Sequence, residues 1–135
     1  MTESTMRRRV VQALRSQHAI AVENPAFPGT PDVNYVEGWL ELKHADLWPV
    51  REKTRLAMPH FTPQQRVWLM KRHYAGGNAH LLLQVSNDWL LLDAITAARL
   101  LGKVSKSALE DAAIARFKTK DLNRELPKCL SRLLN

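Results

Sequence analysis

Hydrophobic and polar residues alternate on both sides of a short break early in the chain. The alternation covers Val33 to Val36, is interrupted at Glu37-Gly38, and resumes from Trp39 to Lys43. Such a pattern predicts a tight β-hairpin, because side chains on a strand alternate between two faces. The loop from Pro28 to Pro31 is dense in turn-forming residues and leads the chain into this hairpin.

The two faces of the predicted hairpin differ in chemistry. If Val36 lies opposite Trp39, the register pairs Asn34 with Glu41 and Asp32 with Lys43. One face is then apolar and can enter a core; it carries Val33, Tyr35, Leu40 and Leu42. The other face is polar and carries Asp32, Asn34, Glu41 and Lys43.

Helical spacing and capping residues predict the elements on either side of the hairpin. Ser4 or Thr5 is the predicted cap of a first helix that runs to about Gln17, and a short strand follows from His18 to Val22. After the hairpin, Thr62 with Pro63 predicts a helix that runs to about Tyr74.

The C-terminal half is predicted to hold two strands followed by helices. The strands cover Ala79 to Gln84 and Trp89 to Leu92, joined at Asn87-Asp88, and a helix that begins at Asp93 or Thr96 extends through Leu101. Ser107 with Glu110 predicts a helix to about Lys118, before a last helical segment. The expected fold is α/β: a central mixed β-sheet flanked by helices with a helical C-terminal extension. It forms one domain, 1–135, with a core of about 3–101 and a tail of about 105–135.

Composition and charge narrow the class of protein. The chain has 135 residues, 45% of them hydrophobic, and 20 Lys and Arg against 13 Asp and Glu give a net charge of +7. This excess favours a polyanionic partner, nucleic acid first. The single Cys129 fits a reducing compartment, and neither a membrane-length apolar run nor a signal peptide is visible, so we expect a cytoplasmic protein with no membrane partner.

The polar face of the hairpin is a candidate metal site. Two carboxylates close together repel each other unless a cation lies between them, and carboxylate oxygens suit Mg²⁺ or Mn²⁺. A neighbouring lysine can then stabilise a phosphate or orient an attacking water. The alternative is a cross-strand ion pair between Asp32 and Lys43. The spacing alone leaves both interpretations open.

Two sequence blocks resemble a known family of nucleases. Pro31-Asp32, followed after eight residues by Glu41-Leu42-Lys43, resembles the signature of the PD-(D/E)XK nuclease superfamily. The block from Phe61 to Leu69, followed by Gly76-Gly77 and the apolar run Ala79 to Val85, resembles the VRR-NUC and Holliday-junction-resolvase-like branch. The resemblance covers about Glu3 to Leu92 and implies a restriction-endonuclease-like core.

The resemblance also implies roles for individual residues. Asp32 and Glu41 would be metal ligands, the Leu42 carbonyl would be a third ligand, and Lys43 would be the catalytic lysine. Gln65 would lie beside the metal site, although it also completes a capping box with Thr62.

The resemblance also implies an acidic residue on the first helix that points at the metal site, and Glu3 is the only acid in that predicted helix. Glu3 could instead have an ordinary role in the first helical turn, and Glu23 is an alternative acidic partner.

The implied function is that of a Mg²⁺-dependent endodeoxyribonuclease that selects junction or branched DNA, with Mn²⁺ as a substitute metal. The residues expected to bind the DNA backbone are Arg7, Arg8, Arg9, Arg51, Lys53 and Arg55. The alternative is a non-catalytic nucleic-acid-binding module on a nuclease fold. A sequence-specific restriction enzyme would need recognition elements for which this short chain has little room.

A homodimer is expected, because resolving a junction takes two cuts and one domain offers one site. The candidate contact surface, which could equally finish the monomer's own core, is an apolar stripe of Leu126, Leu130, Leu133 and Leu134.

Overall fold

A six-stranded mixed sheet lies between two layers of helices in the computed structural model, which describes residues 2–133. The elements in chain order are α1 (Glu3–Ala13), β1 (Ile20–Ala21), β2 (Val33–Tyr35), β3 (Gly38–Ala45), α2 (Pro63–Tyr74), β4 (Ala79–Val85), β5 (Asp88–Asp93), α3 (Ala94–Leu100), α4 (Lys106–Ala112), β6 (Ala115–Lys118) and α5 (Leu122–Arg132). The strands lie in sequence order across the sheet; β3 and β4 are parallel, and the other four neighbouring pairs in the described part of the chain are antiparallel. Parallel neighbours need a crossover, which α2 supplies.

Each face of the sheet has its own hydrophobic core. The first face packs against α1 and α5, with Leu42 and Leu82 of the sheet meeting Val10 and Leu126 of the helices. The second face packs against α2, α3 and α4, where Leu81 of the sheet is buried in the same core as helical residues. Strand β4 is buried on both faces, which explains its continuous apolar sequence. The predicted α/β fold class is confirmed.

The register of the β2–β3 hairpin differs from the prediction by two residues. Val33 pairs with Leu40 and Tyr35 with Gly38, so Val36-Glu37 forms the turn and the predicted pair of Asn34 with Glu41 is wrong. Gly38 is the first residue of β3, and only glycine fits there because a Cβ would be 2.0 Å from the Asn78 carbonyl oxygen. A shift of two residues keeps every side chain on its predicted face, and the apolar face is buried as expected.

The N-terminal elements are shorter than predicted. Thr2, rather than Ser4 or Thr5, caps α1 by accepting a hydrogen bond from the Thr5 N–H at 3.1 Å. The α-helix ends at Ala13, a 3₁₀ turn covers Arg15–Gln17, and β1 contains only Ile20–Ala21.

Helices α2 and α3 begin where their caps predict. The predicted N-cap Thr62 and first-turn Pro63 are confirmed for α2. Asp93 caps α3 and accepts a hydrogen bond from the Thr96 N–H at 2.8 Å.

The predicted helix from Ser107 to Lys118 is present only in its first half, and its second half is wrong. Helix α4 is capped by Ser105 and ends at Ala112, and Ala115–Lys118 forms β6, which pairs antiparallel with β5. Phe117 on β6 stacks on Trp89, with ring centroids 6.2 Å apart. This packing at the edge of the sheet overrides the local helical signal. The β4–β5 turn also moves by one residue, to Ser86-Asn87.

The apolar stripe of α5 belongs to the core of the monomer. Leu126 and Leu130 are completely buried in the core beside α1, and Leu133 packs against the same core. Leu134 lies outside the described residues. Leu126 and Leu130 therefore do not form the dimer surface considered for them.

Among residues 2–133, no helix has both the length and the apolar character needed to cross a membrane.

Candidate active site

Asp32 is held at the point where the pairing of β2 with β3 stops. Its backbone carbonyl accepts a hydrogen bond from the Val22 N–H at 2.8 Å. Its carboxylate oxygen Oδ2 accepts a hydrogen bond from the Leu42 N–H, also at 2.8 Å. The strand pairing itself reaches only Leu40 on β3. The Asp32 side chain therefore takes the place of the next strand residue and lies beside Glu41.

Glu41 and Lys43 project from β3 on the face that packs against α2. The Glu41 side chain is only 1% exposed, and its Oε2 is 3.6 Å from the Lys43 Nζ. The lysine is also largely buried, and its Nζ donates a hydrogen bond to the His60 carbonyl at 3.2 Å. Lys43 also lies 5.8 Å from the centroid of the Phe61 ring. These contacts hold the ammonium group next to the carboxylates.

The environment of the Glu41 carboxyl disfavours its charged form. Neither of its oxygens has a hydrogen-bond partner, although both are buried. Burial first, and then the neighbouring Asp32 carboxyl, raise the pKa of Glu41 to about 10, against the opposing effect of Lys43. A buried pair of carboxyls with unused oxygens is an arrangement that a divalent cation would stabilise, since hard oxygen ligands suit such ions.

The Leu42 carbonyl points toward the edge of β3 at which Asp32 lies. The N–H and C=O of one strand residue point toward the same neighbouring strand, and the Leu42 N–H points to the Asp32 carboxylate. Within residues 2–133, no set of three or more His, Cys, Asp or Glu side chains could hold a metal ion. The available oxygen ligands are therefore two carboxylates and one backbone carbonyl, a set that fits Mg²⁺ because this ion usually keeps several waters.

Gln65 lies in the first turn of α2, where it makes the capping box. The Thr62 N–H donates to the Gln65 Oε1 at 2.9 Å, and the Thr62 Oγ1 accepts from the Gln65 N–H at 3.2 Å. The cap uses the oxygen of the Gln65 side chain and leaves the side-chain nitrogen for other contacts. The capping alternative is thus present in the structure, while a catalytic role for Gln65 stays a prediction.

The loop before Asp32 packs tightly on this same turn of α2. Gly29 has a φ of +93°, and a Cβ at this position would lie 2.5 Å from the Gln64 carbonyl oxygen. Only glycine combines this backbone conformation with such a close approach. The glycine therefore couples the Asp32 loop to the helix that carries Gln65.

The two other acidic candidates are not brought to the site. Glu3 is exposed in the first turn of α1, a helix that packs on the face of the sheet opposite to Glu41. Glu23 is exposed just after β1. Neither joins Asp32 and Glu41 in a cluster of three metal-binding side chains.

The predicted DNA-binding residues form two separate groups. Arg7 is half-buried on α1, which covers the first face, and Arg8 and Arg9 beside it are exposed. Arg51, Lys53 and Arg55 are exposed in the loop after β3. The Arg55 guanidinium donates to the Gly102 carbonyl at 2.7 Å and so fixes this loop to the α3–α4 connection.

Two contacts of Lys43 were not predicted from the sequence. His60 contributes a backbone carbonyl, which no side-chain pattern reveals. Phe61 contributes its ring, which also lies 4.2 Å from the Arg66 guanidinium. Arg66 in turn donates to the carbonyls of Ala98 and Leu101. The Phe61 ring beside Lys43 is therefore held against a side chain that is fixed to the C-terminal end of α3.

Comparisons with known proteins agree with this architecture. The chain is similar in structure to Hjc of Archaeoglobus fulgidus, a Holliday junction resolvase from an archaeal hyperthermophile. The TM-score is 0.53 over 82% of this chain and 93% of the other. The fold is resolvase-like. The two sequences are 16% identical, so the likeness concerns the fold alone. No family model and no curated protein sequence matches the chain.

Proposed function

We propose that the protein is a divalent-metal-dependent endodeoxyribonuclease of the PD-(D/E)XK superfamily that acts on branched DNA. The main observation that supports this proposal is the environment of the Glu41 carboxyl. Its carboxyl is fully buried beside Asp32, both of its oxygens lack a hydrogen-bond partner, and Lys43 lies 3.6 Å away. Lys43 offsets only part of the cost of burying two neighbouring carboxyls, and a purely structural role would leave the remainder without compensation.

The carboxylates of Asp32 and Glu41, with the Leu42 carbonyl, would hold Mg²⁺, and Mn²⁺ would substitute for it. When bound, such an ion neutralises phosphate charge and increases the acidity of a bound water. Lys43 would donate a hydrogen bond to a phosphate oxygen, or to the attacking water, as negative charge develops during hydrolysis. The His60 carbonyl, at 3.2 Å, keeps the ammonium group in place for this role.

DNA is the proposed substrate because the chain carries a net charge of +7 and has a fold similar to that of a junction resolvase. Arg7, Arg8 and Arg9 on α1, together with Arg51, Lys53 and Arg55, would contact phosphates, which makes binding salt-dependent and largely independent of sequence. Placement in the VRR-NUC branch stays a prediction from the sequence blocks.

The proposed assembly is a homodimer, since two cuts in a junction need two sites. Light scattering at micromolar concentration, with and without a four-way junction, should give the mass of a dimer. A monomer that nicks junctions and linear duplexes equally well would contradict both the dimer and the selectivity.

Cleavage of labelled DNA tests the catalytic proposal. A four-way junction, a flap and a linear duplex are incubated with the protein in Mg²⁺ or in EDTA. We expect cleavage in Mg²⁺, with preference for branched DNA, and none in EDTA. Asp32→Ala, Glu41→Ala and Lys43→Ala should each abolish cleavage, while the control Glu52→Ala, at an exposed position, should not. Tight binding without cleavage by the wild type would instead indicate a binding module.

A further inference from the structure

Two adjoining cavities lie on the face of the sheet opposite to Glu41 and Lys43. The first, of about 350 Å³, includes His44 and Gln84, neighbours on β3 and β4 whose side chains alternate with those of the metal site. The second, of about 430 Å³, lies between α1 and the start of α5. Arg9 and Thr119 line both, so the two cavities adjoin each other, and together they are called the joined cavities. Each volume is typical of a small-molecule site.

Gln84 is the buried polar group of the first cavity. The residue is only 4% exposed, and its Nε2 donates to the Ser86 carbonyl at 3.1 Å. Its Oε1 is buried without a hydrogen-bond partner. Buried side-chain acceptors are nearly always paired, with protein or with ordered water, so within residues 2–133 this oxygen is an unsatisfied acceptor beside the cavity.

Donor groups line the same cavity. The Thr119 hydroxyl accepts a hydrogen bond from the Trp89 Nε1 at 2.9 Å, which leaves its own proton to be donated. The Asn87 Oδ1 accepts from the Thr119 N–H at 3.1 Å, which leaves the Asn87 amide nitrogen as a donor. A ligand edge that alternates donors and acceptors would satisfy this set, and nucleobases have such edges.

The second cavity is basic. Arg8, Arg9 and Lys120 line the joined cavities, and among residues 2–133 the only acidic lining residue is Asp46 in the first cavity. The excess of positive charge next to a base-sized polar cavity fits an anionic group attached to the base. Arginine and lysine are the usual partners of phosphate.

We propose that the joined cavities bind one nucleotide, with its base against Gln84 and its phosphate against Arg8, Arg9 and Lys120. The nucleotide would come from one of two sources, an unpaired nucleotide of a DNA strand or a free mononucleotide. The first source rests on the proposed function.

The geometry of β3 connects this site to the metal site. On the β2 side of β3 the strand pairing ends at Leu40 and the Asp32 carboxylate accepts the Leu42 N–H. Within residues 2–133, no strand pairs with this edge of β3 from Lys43 onward, and the two faces of the strand meet there. Lys43 and His44 are consecutive residues that project to opposite faces. A DNA strand that crosses this edge would place a phosphate near Lys43 and an unpaired nucleotide in the cavity. The cavity would thus select DNA that contains unpaired nucleotides.

Fluorescence anisotropy in EDTA tests the site without cleavage. The probes are a labelled duplex with one unpaired nucleotide and the same duplex fully paired. The wild type should bind the first about tenfold more tightly, and Gln84→Met and Arg9→Gln should each remove this preference. Arg9→Gln should also reduce the dependence of log K on log salt by about one, whereas Gln84→Met should not change it. Arg99→Gln removes the same charge from an exposed position on α3 and should behave as the wild type.

Calorimetry with deoxyadenosine and deoxycytidine monophosphates separates the two sources. The site is assigned to free nucleotides if the wild type binds a monophosphate, both variants lose this binding, and the wild type shows no preference for the duplex with an unpaired nucleotide. If both variants match the wild type in both assays, the inference is wrong. Arg9 is exposed, so Arg9→Gln decides the matter if Gln84→Met fails to fold. If the protein binds nucleotides but cuts no DNA, the proposed function is refuted and the nucleotide site is retained. If the protein cuts DNA and both variants bind as the wild type does, the nucleotide site is refuted and the proposed function is retained.

Discussion

Replacing the Glu41 carboxyl by an amide should stabilise the metal-free protein at alkaline pH. Burial and the neighbouring Asp32 raise the pKa of Glu41 from 4.5 to about 10. Between these two values the folded protein keeps a proton that the unfolded chain has released. The free energy of unfolding therefore falls as the pH rises through this window. Glu41→Gln has no carboxyl at this position and should lack that dependence.

The magnitude follows from the width of the window. At about 1.4 kcal/mol per pH unit, the full shift corresponds to about 4 kcal/mol between pH 5 and pH 8. Relaxation and water penetration around a buried charge reduce such costs. We therefore expect the metal-free wild type to lose about 1–3 kcal/mol over this interval relative to Glu41→Gln.

Urea unfolding in EDTA at pH 5 and pH 8 measures this difference. The control is Glu52→Gln, which removes the same charge from an exposed residue and should follow the wild type. Adding Mg²⁺ at pH 8 should restore stability to the wild type and to the control, because the ion binds the folded state. The same addition should have little effect on Glu41→Gln. Parallel pH dependences for wild type and Glu41→Gln would refute the reasoning.

Three further substitutions test the surroundings of the site. Lys43→Met, like Lys43→Ala, should leave no detectable cleavage in a gel assay, a loss in kcat of at least about 10²–10³-fold, while DNA binding stays within a few-fold. Unchanged turnover would contradict the role of Lys43. Gln65→Ala should lower stability by about 0.5–2 kcal/mol in urea unfolding because the capping box is lost, unlike the control Gln64→Ala. A loss of activity far beyond this loss of stability would instead place Gln65 in catalysis. Gly29→Ala should cost about 1–3 kcal/mol and reduce cleavage by displacing the Asp32 loop, so a variant with wild-type stability and activity would contradict the packing described.

The polar face of the hairpin was predictable because it depends only on the alternation of side chains. A register error of two residues left Glu41 and Lys43 on the predicted face. The register itself was not predictable, because it depends on the close contact of Gly38 with Asn78, which lies 40 residues later in the chain. Local patterns carry no information about such a contact.

Strand β6 and the contacts of Lys43 with His60 and Phe61 were not predicted, for a related reason. The segment Ala115–Lys118 becomes a strand by pairing with β5 and by stacking Phe117 on Trp89. The His60 carbonyl reaches Lys43 only once α2 has packed on the sheet. In the sequence, Gln84 is a polar residue in a largely apolar strand. That its side-chain oxygen has no hydrogen-bond partner among the described residues depends on tertiary packing and follows only from the structure.

The position of a bound Mn²⁺ ion tests the central claim most directly. Crystals of the protein grown with Mn²⁺ would be measured at a wavelength where manganese scatters anomalously. The proposed site predicts an anomalous peak in contact with the carboxylates of Asp32 and Glu41 and the Leu42 carbonyl oxygen, and no peak there in crystals of Glu41→Gln. Manganese bound elsewhere in the protein, with the carboxyls of Asp32 and Glu41 left without metal, would contradict it.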